Sequence, residues 1–176
     1  MSTDKDARID LLLRHNELNS FFCRYFDMND DRRLHEMPDF YTSDGQFNLY
    51  LSRDDFAVGK PTVSSRGSAE LQAMVNSSLA HLDQTHHTMG NFRVETKDGN
   101  IIVRANLRAY HRGCGVAQGK DEESLSAFTA HVVQEAGSWK IARFDYVLYI
   151  ILGTFDAFPA VNELKDVEAA SVSVGH

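Results

Sequence analysis

Residues 101–113, IIVRANLRAYHRG, keep a strict alternation. Ile101, Val103, Ala105, Leu107, Ala109 and His111 fall on one side; Ile102, Arg104, Asn106, Arg108 and Tyr110 fall on the other. Successive side chains of a strand point to opposite faces, so this segment reads as a strand with one face for a core and one for water. Such a strand demands antiparallel neighbours and a covering layer on its apolar side. The neighbours are legible. THHTMGNFRVET precedes it across KDGN (97–100), whose Asp-Gly pair signals a hairpin. After the flexible GCGVAQGKDE, the strand ESLSAFTAHVV, the turn QEAGS and the strand WKIARFDYVLYIIL complete a meander.

The covering layer comes first in the chain. Residues 6–28 carry Ile9, Leu12, Leu13, Leu18, Phe22, Tyr25 and Phe26 at near-helical spacing, which predicts a long amphipathic helix. NDDRRLHEM predicts a short helix capped by Asn29 or Asp30 and closed near Pro38. GQFNLYLS (45–52) alternates as a strand, 53–66 read as a loop, and 67–82 form a third helix with Leu71, Met74, Val75 and Leu79 in one stripe. The order predicts an α+β fold. A curved, mixed but mostly antiparallel sheet packs on a long N-terminal helix and two shorter ones, forming a cone-shaped half-open barrel with an apolar pocket. One domain spans 1–176, with its core over about 8–155 and a polar tail over 160–176.

A formal charge of −7 with scattered Lys and Arg argues against nucleic acid, which needs clustered cations. Two cysteines, Cys23 and Cys114, suggest neither a disulfide framework nor a cysteine zinc site. MSTDKDARID lacks the apolar stretch of a signal peptide, and YVLYIILG is too short to span a membrane, so a cytoplasmic location without a membrane partner is expected. No G-x-G-x-x-G, phosphate loop or G-x-S-x-G appears, so no nucleotide cofactor and no serine nucleophile are expected.

HLDQTHHTMG holds three of the eight histidines. His81 sits at a helix end, where it can meet the dipole. Of the adjacent pair, one looks inward; His87 shares parity with Met89, although a bulge at Gly90 would upset that count. His111 ends the apolar face of its strand and needs a partner there. Asp27, at the end of the first helix, can supply one, since a carboxylate fixes an imidazole's tautomer and raises its basicity. Two histidines and an aspartate around an apolar hollow make a general acid–base site. The competing reading is a hydrogen-bonded core histidine. A metal reading of Asp27, His87 and His111 lacks the H-x-x-x-H and H-x-D spacings, so no metal is expected.

RYFDMNDDRRLHEMPDFYTSDGQF, RGSAEL, THHTMGNFRVETKDGNIIVRANLRAYHRG and GSWKIARFDYVLY, in that order and covering roughly 8–155, resemble the SnoaL-like family. This family lies in the superfamily named for nuclear transport factor two, and the likeness is nearest to its scytalone dehydratase-like branch. The resemblance implies cofactor-free proton chemistry beside a carbonyl or ring, with Asp27, His87 and His111 matching the acid and both histidines. Phe26 stands at the family's tyrosine, with Tyr25 adjacent. Ser126 matches a substrate-contacting serine, Phe128 replaces an asparagine, and Tyr50 is the candidate for a second water-holding tyrosine. The apolar wall is expected from Phe22, Phe47, Met74, Phe128, Phe144, Tyr146 and Leu148. Leu49 or a neighbour, not an acid, stands where a ketosteroid isomerase would carry its base, against that chemistry. The implied activity is a dehydratase, cyclase or isomerase acting on a small polycyclic or aromatic metabolite, in a homodimer or trimer. The alternative is a non-catalytic ligand-binding protein or a structural β-type subunit of a ring-hydroxylating oxygenase.

Overall fold

The computed structural model describes residues 4–80 and 82–157. The expected tail over 160–176 lies outside them, as do His81 and His176. The first helix, α1 (Asp4–Asp30), runs two residues past its expected end. Its burial begins at Leu18: Leu18, Phe21, Phe22, Tyr25, Phe26 and Met28 are buried, whereas Ile9, Leu12 and Leu13 are exposed. The expected stripe therefore meets the sheet along its second half alone. Each large apolar side chain buried there contributes about 1.5–3 kcal/mol.

Asn29 and Asp30 belong to α1 rather than capping a second helix. Arg32, with φ of 62°, breaks the chain direction, and the short 3₁₀ segment Leu34–Phe40 follows, with Pro38 inside it. Next come β1 (Tyr41–Tyr50), α2 (Arg53–Ala57), β2 (Val63–Arg66) and α3 (Gly67–Leu79). The stretch read as a loop thus contains α2 and β2. Ser52 caps α2 by accepting a hydrogen bond from the Asp55 N–H, the Ser-x-x-Asp pattern of a helix start.

The meander is as the alternation predicts: β3 (Leu82–Lys97), β4 (Asn100–Gly113), β5 (Asp121–Glu135) and β6 (Ser138–Gly153) pair antiparallel in sequence. The strand order is β2-β1-β6-β5-β4-β3, and the β1–β6 pair is parallel, which makes the sheet mixed. β2 and β3 do not pair, so the barrel stays open. One face packs on α1 and α3 around Phe22, Phe128 and Phe144, whose rings lie within 6.3 Å of one another. Among the described residues no helix is long and apolar enough to cross a membrane.

Candidate active site

A cavity of about 150 Å³ lies between the inner sheet face and the helices. α1 lines it with Tyr25, Phe26 and Asn29, β1 with Phe47 and Leu49, and α3 with Met74, Val75, Ser78 and Leu79. The strands add His87, Leu107, His111, Glu122, Ser124, Phe144, Tyr146 and Leu148. The wall is mostly apolar, and its titratable groups gather at one end.

Strand parity puts the two histidines there. Val103, Ala105, Leu107, Ala109 and His111 of β4 are all buried, as their alternation requires. On β3, Thr85, His87 and Met89 face inward, and the exposed His86 faces out. The expected bulge is present: three steps from Gly90 to Arg93 face two from Asn106 to Arg104, with Asn91 at φ of 51°. It lies beyond His87, so it flips Phe92 and Val94 rather than the histidine. His87 pairs with Ala109 and Thr85 with His111, which makes the histidines diagonal neighbours with ring centroids 5.5 Å apart.

The acid that meets His87 is Asp30, not Asp27. Asp27 is exposed, while the Asp30 carboxylate lies 2.7 Å from His87 Nδ1 through Oδ1. It also accepts from the His87 main-chain N–H at 2.8 Å and the Thr85 hydroxyl at 2.8 Å. Helical phase explains the change. Phe22, Phe26 and Asp30 are four residues apart and share a face, whereas Asp27 is rotated about 100° from Phe26. A carboxylate at a helix C-terminus opposes the dipole; here three donors hold it in place.

His111 has its own acid, which the sequence reading missed. Glu122, the residue directly across from it on β5, places Oε2 at 2.6 Å from His111 Nδ1. The Glu122 side chain is 3% exposed. The signal was available: Glu122 shares parity with Ser124, Ser126 and Phe128, but the strand starts two residues before its predicted first residue.

An ionised carboxylate accepts only, so His87 Nδ1 carries the proton and its Nε2 keeps a lone pair. Burial lowers the His87 pKa from its ordinary value, outweighing the pull of Asp30, and His111 adds to the lowering. For Asp30, burial works to raise the pKa, but its hydrogen bonds to His87 and Thr85 leave it below the usual carboxylate value. The pair thus rests as carboxylate and neutral imidazole. Burial also raises the phenols of Tyr25 and Tyr146, which stay protonated. The Tyr25 hydroxyl is 3.0 Å from that of Tyr41.

Other expected positions divide. Tyr25, Phe47, Met74, Phe144, Tyr146 and Leu148 line the cavity. Ser126 is buried behind it, 3.0 Å from the Leu107 carbonyl and 2.8 Å from the Tyr146 hydroxyl. Phe128 and Phe22 lie in the layer beneath, Phe128 stacking on Phe144 at 4.9 Å. Tyr50 is on the other face of β1: its hydroxyl donates to Asp145, which also binds Asn48 and Arg143, so Leu49 takes the cavity position. Among the described residues no three His, Cys, Asp or Glu side chains converge to hold a metal ion.

A family model described as a SnoaL-like domain matches residues 10–145. No curated protein matches the chain significantly by sequence. Among solved structures, the fold is similar to that of a candidate scytalone dehydratase from Novosphingobium aromaticivorans (TM-score 0.68, 14% identity, covering 81% of this chain and 89% of that one). It is also similar to a hexachlorocyclohexane dehydrochlorinase (TM-score 0.66, 12% identity, 84% and 93% covered). A third likeness is the β subunit of a candidate aromatic-ring-hydroxylating dioxygenase from N. aromaticivorans (TM-score 0.65, 12% identity, 79% and 91% covered). At these identities the likenesses carry the fold.

Proposed function

Since this chain belongs to the SnoaL-like domain family, we propose that it is a cofactor-independent acid–base enzyme acting on a small neutral ring compound in the cavity. One observation carries this reading: two imidazoles, each backed at Nδ1 by a carboxylate, meet at one end of an apolar hollow. A core histidine needs a single partner; a pair of such dyads facing the same space matches the two halves of a proton-transfer reaction.

His87 Nε2 is the base and takes a proton from carbon. His111, held by Glu122 at Nδ1, enters the cycle with a proton on Nε2 as well. In an elimination it delivers that proton to the departing group, regaining one from solvent as His87 releases its own. In an isomerisation it protonates the enolate oxygen and takes the proton back as His87 returns its proton to a different carbon. The C–H electron pair becomes the new π bond, and the bond to the leaving group breaks with its electrons. Asp30 and Glu122 are positioning residues. Tyr25, Phe47, Met74, Phe144 and Tyr146 hold the ring, while Ser126 and Phe128 act through Tyr146 and Phe144. Water exclusion by this wall strengthens the site's hydrogen bonds. General acid–base groups contribute about 10²–10⁴-fold each. A hollow of about 150 Å³ has room for one benzene-sized ring, so the substrate is narrowed to a single ring rather than a polycycle. That structural neighbours are named as a dehydratase and a dehydrochlorinase supports an elimination.

The test is turnover of a panel of hydroxylated, halogenated and keto cyclohexane derivatives by the wild type, His87→Ala and His111→Ala. Loss of turnover with retained ligand binding supports the reading; undiminished turnover in either variant refutes it. The dioxygenase β-subunit likeness favours a second reading, a structural subunit without chemistry of its own. Co-purification with a large oxygenase subunit and no turnover would select it. Assembly of this chain into a dimer or trimer through the open sheet face belongs to the same proposal, and light scattering tests it.

A further inference from the structure

A buried acceptor stands beside the cavity with nothing to bond. Asn29, on the last turn of α1, is 4% exposed and lines the wall. Its Nδ2 donates to the Tyr25 main-chain carbonyl at 3.3 Å. Exchanging the amide's nitrogen and oxygen would set two acceptors against each other, so the amide orientation is fixed. Asn29 Oδ1 is therefore an acceptor, and among the described residues it has no hydrogen-bond partner. Buried amide oxygens are rarely left this way.

The donors that β3 presents there are already committed, and the guanidinium of Arg32, whose Nη1 is also buried without a partner among the described residues, is turned to the Leu79 carbonyl. The Thr85 hydroxyl serves Asp30 and the Asn29 main-chain carbonyl, and the His87 N–H serves Asp30. Asn29 borders the cavity, so a ligand seated there is in position to bring that donor. The charge of that ligand is constrained too: among the described residues no Lys or Arg lines the cavity, and the Asp30 carboxylate stands behind His87. An anion would meet repulsion there without a counter-charge.

We propose that Asn29 is a specificity-determining residue that accepts a hydrogen bond from an O–H or N–H group on a neutral, single-ring ligand. With the cavity taken as the substrate site proposed above, this anchors the ligand's donor group beside Asp30, the residue that orients His87. The bond separates hydroxylated or aminated rings from rings carrying halogen or ether oxygen alone.

Phenol, anisole and toluene test this by titration against the full chain, followed by heteronuclear NMR. They share a ring and differ in offering a donor, an acceptor, or neither. One net hydrogen bond corresponds to about 2–10-fold in Kd. The wild type is expected to bind phenol more tightly than anisole and toluene by that factor. Asn29→Leu is expected to erase the difference with an unchanged or raised Tm, since an unpaired buried acceptor is removed. Asn29→Ala gives the same readout if the leucine variant does not fold. Equal wild-type binding of all three overturns the assignment, and so does a phenol preference that survives both variants. Either result leaves the His87 and His111 chemistry to its own turnover test. Failure of all three probes to bind would overturn the assignment and the cavity as a substrate site together.

Discussion

Asp30→Asn separates a positioning carboxylate from a merely structural one. In the wild type, Oδ2 receives the His87 main-chain N–H at 2.8 Å. Oδ1 receives His87 Nδ1–H at 2.7 Å and the Thr85 hydroxyl at 2.8 Å. An asparagine keeps one oxygen and gains an NH₂. The main-chain N–H can only donate, so the oxygen must stay on that side. The NH₂ then faces His87 Nδ1, which relieves the clash by giving up its proton and accepting. Thr85 turns its hydrogen to the Asn29 carbonyl, 3.2 Å away. Every group is satisfied, but the His87 proton has moved to Nε2, on the cavity side.

Hydrogen bonds to a charged group contribute about 1.5–3 kcal/mol and neutral ones about 0.5–1.5. Reduced desolvation of the neutral amide offsets part of the difference, so a stability loss of roughly 1–3 kcal/mol is expected. The base, however, has lost its lone pair. An aspartate-to-asparagine change behind the histidine of the serine-protease triad costs about 10⁴ in turnover by the same tautomer switch, and a loss of about 10²–10⁴ is expected here. Nitrogen-15 NMR of the imidazoles reads the tautomer without any substrate, and urea unfolding reads the stability. A folded Asp30→Asn protein with the proton still on Nδ1, or with wild-type turnover, would refute this account of Asp30.

Acidification should act in two stages. His87 has a folded pKa below its ordinary value of about 6.5. Its contribution is complete above that value and is lost as pH falls through the folded pKa. Asp30, held below the usual value of about 3.9, keeps its contribution until the pH falls further. A Tm–pH series should therefore show a first decline below about 6.5 that is smaller in His87→Phe, the remainder coming from His131, whose pKa burial also lowers. Glu122→Ala removes the acceptor of the 2.6 Å bond to His111 and should cost about 1.5–3 kcal/mol in urea unfolding. Phe144→Ala opens the wall beside Phe128 and Phe47. It should cost about 3–5 kcal/mol and raise the affinity for naphthalene relative to benzene; titration of both against the wild type and the variant checks it.

What could be read from the sequence depended on how regular the chain is where the reading was made. β4 is regular from end to end, so parity alone placed His111 inward and predicted which residues would face the core. His87 was placed by two residues of parity, because the bulge after Gly90 breaks the pattern only downstream. The acids lie where regularity ends, and there the same rule fails by a small error in a boundary. With α1 stopped at Met28, the direction of Asp30 is undefined, and Asp27, the last acid inside the expected helix, takes its place. With α1 carried to Asp30, the four-residue spacing from Phe22 and Phe26 selects Asp30. Glu122 is the strand counterpart: begin β5 at Glu123 and it is a loop residue, begin it at Asp121 and it falls on the inner face opposite His111. Boundaries are set by local capping and turn chemistry, which is weakly encoded compared with the burial of a long apolar face. A proton-transfer site draws its polar groups from those ends, because a carboxylate in the middle of a core-facing stripe would be buried without the main-chain and side-chain donors that hold Asp30 or the cross-strand histidine that meets Glu122.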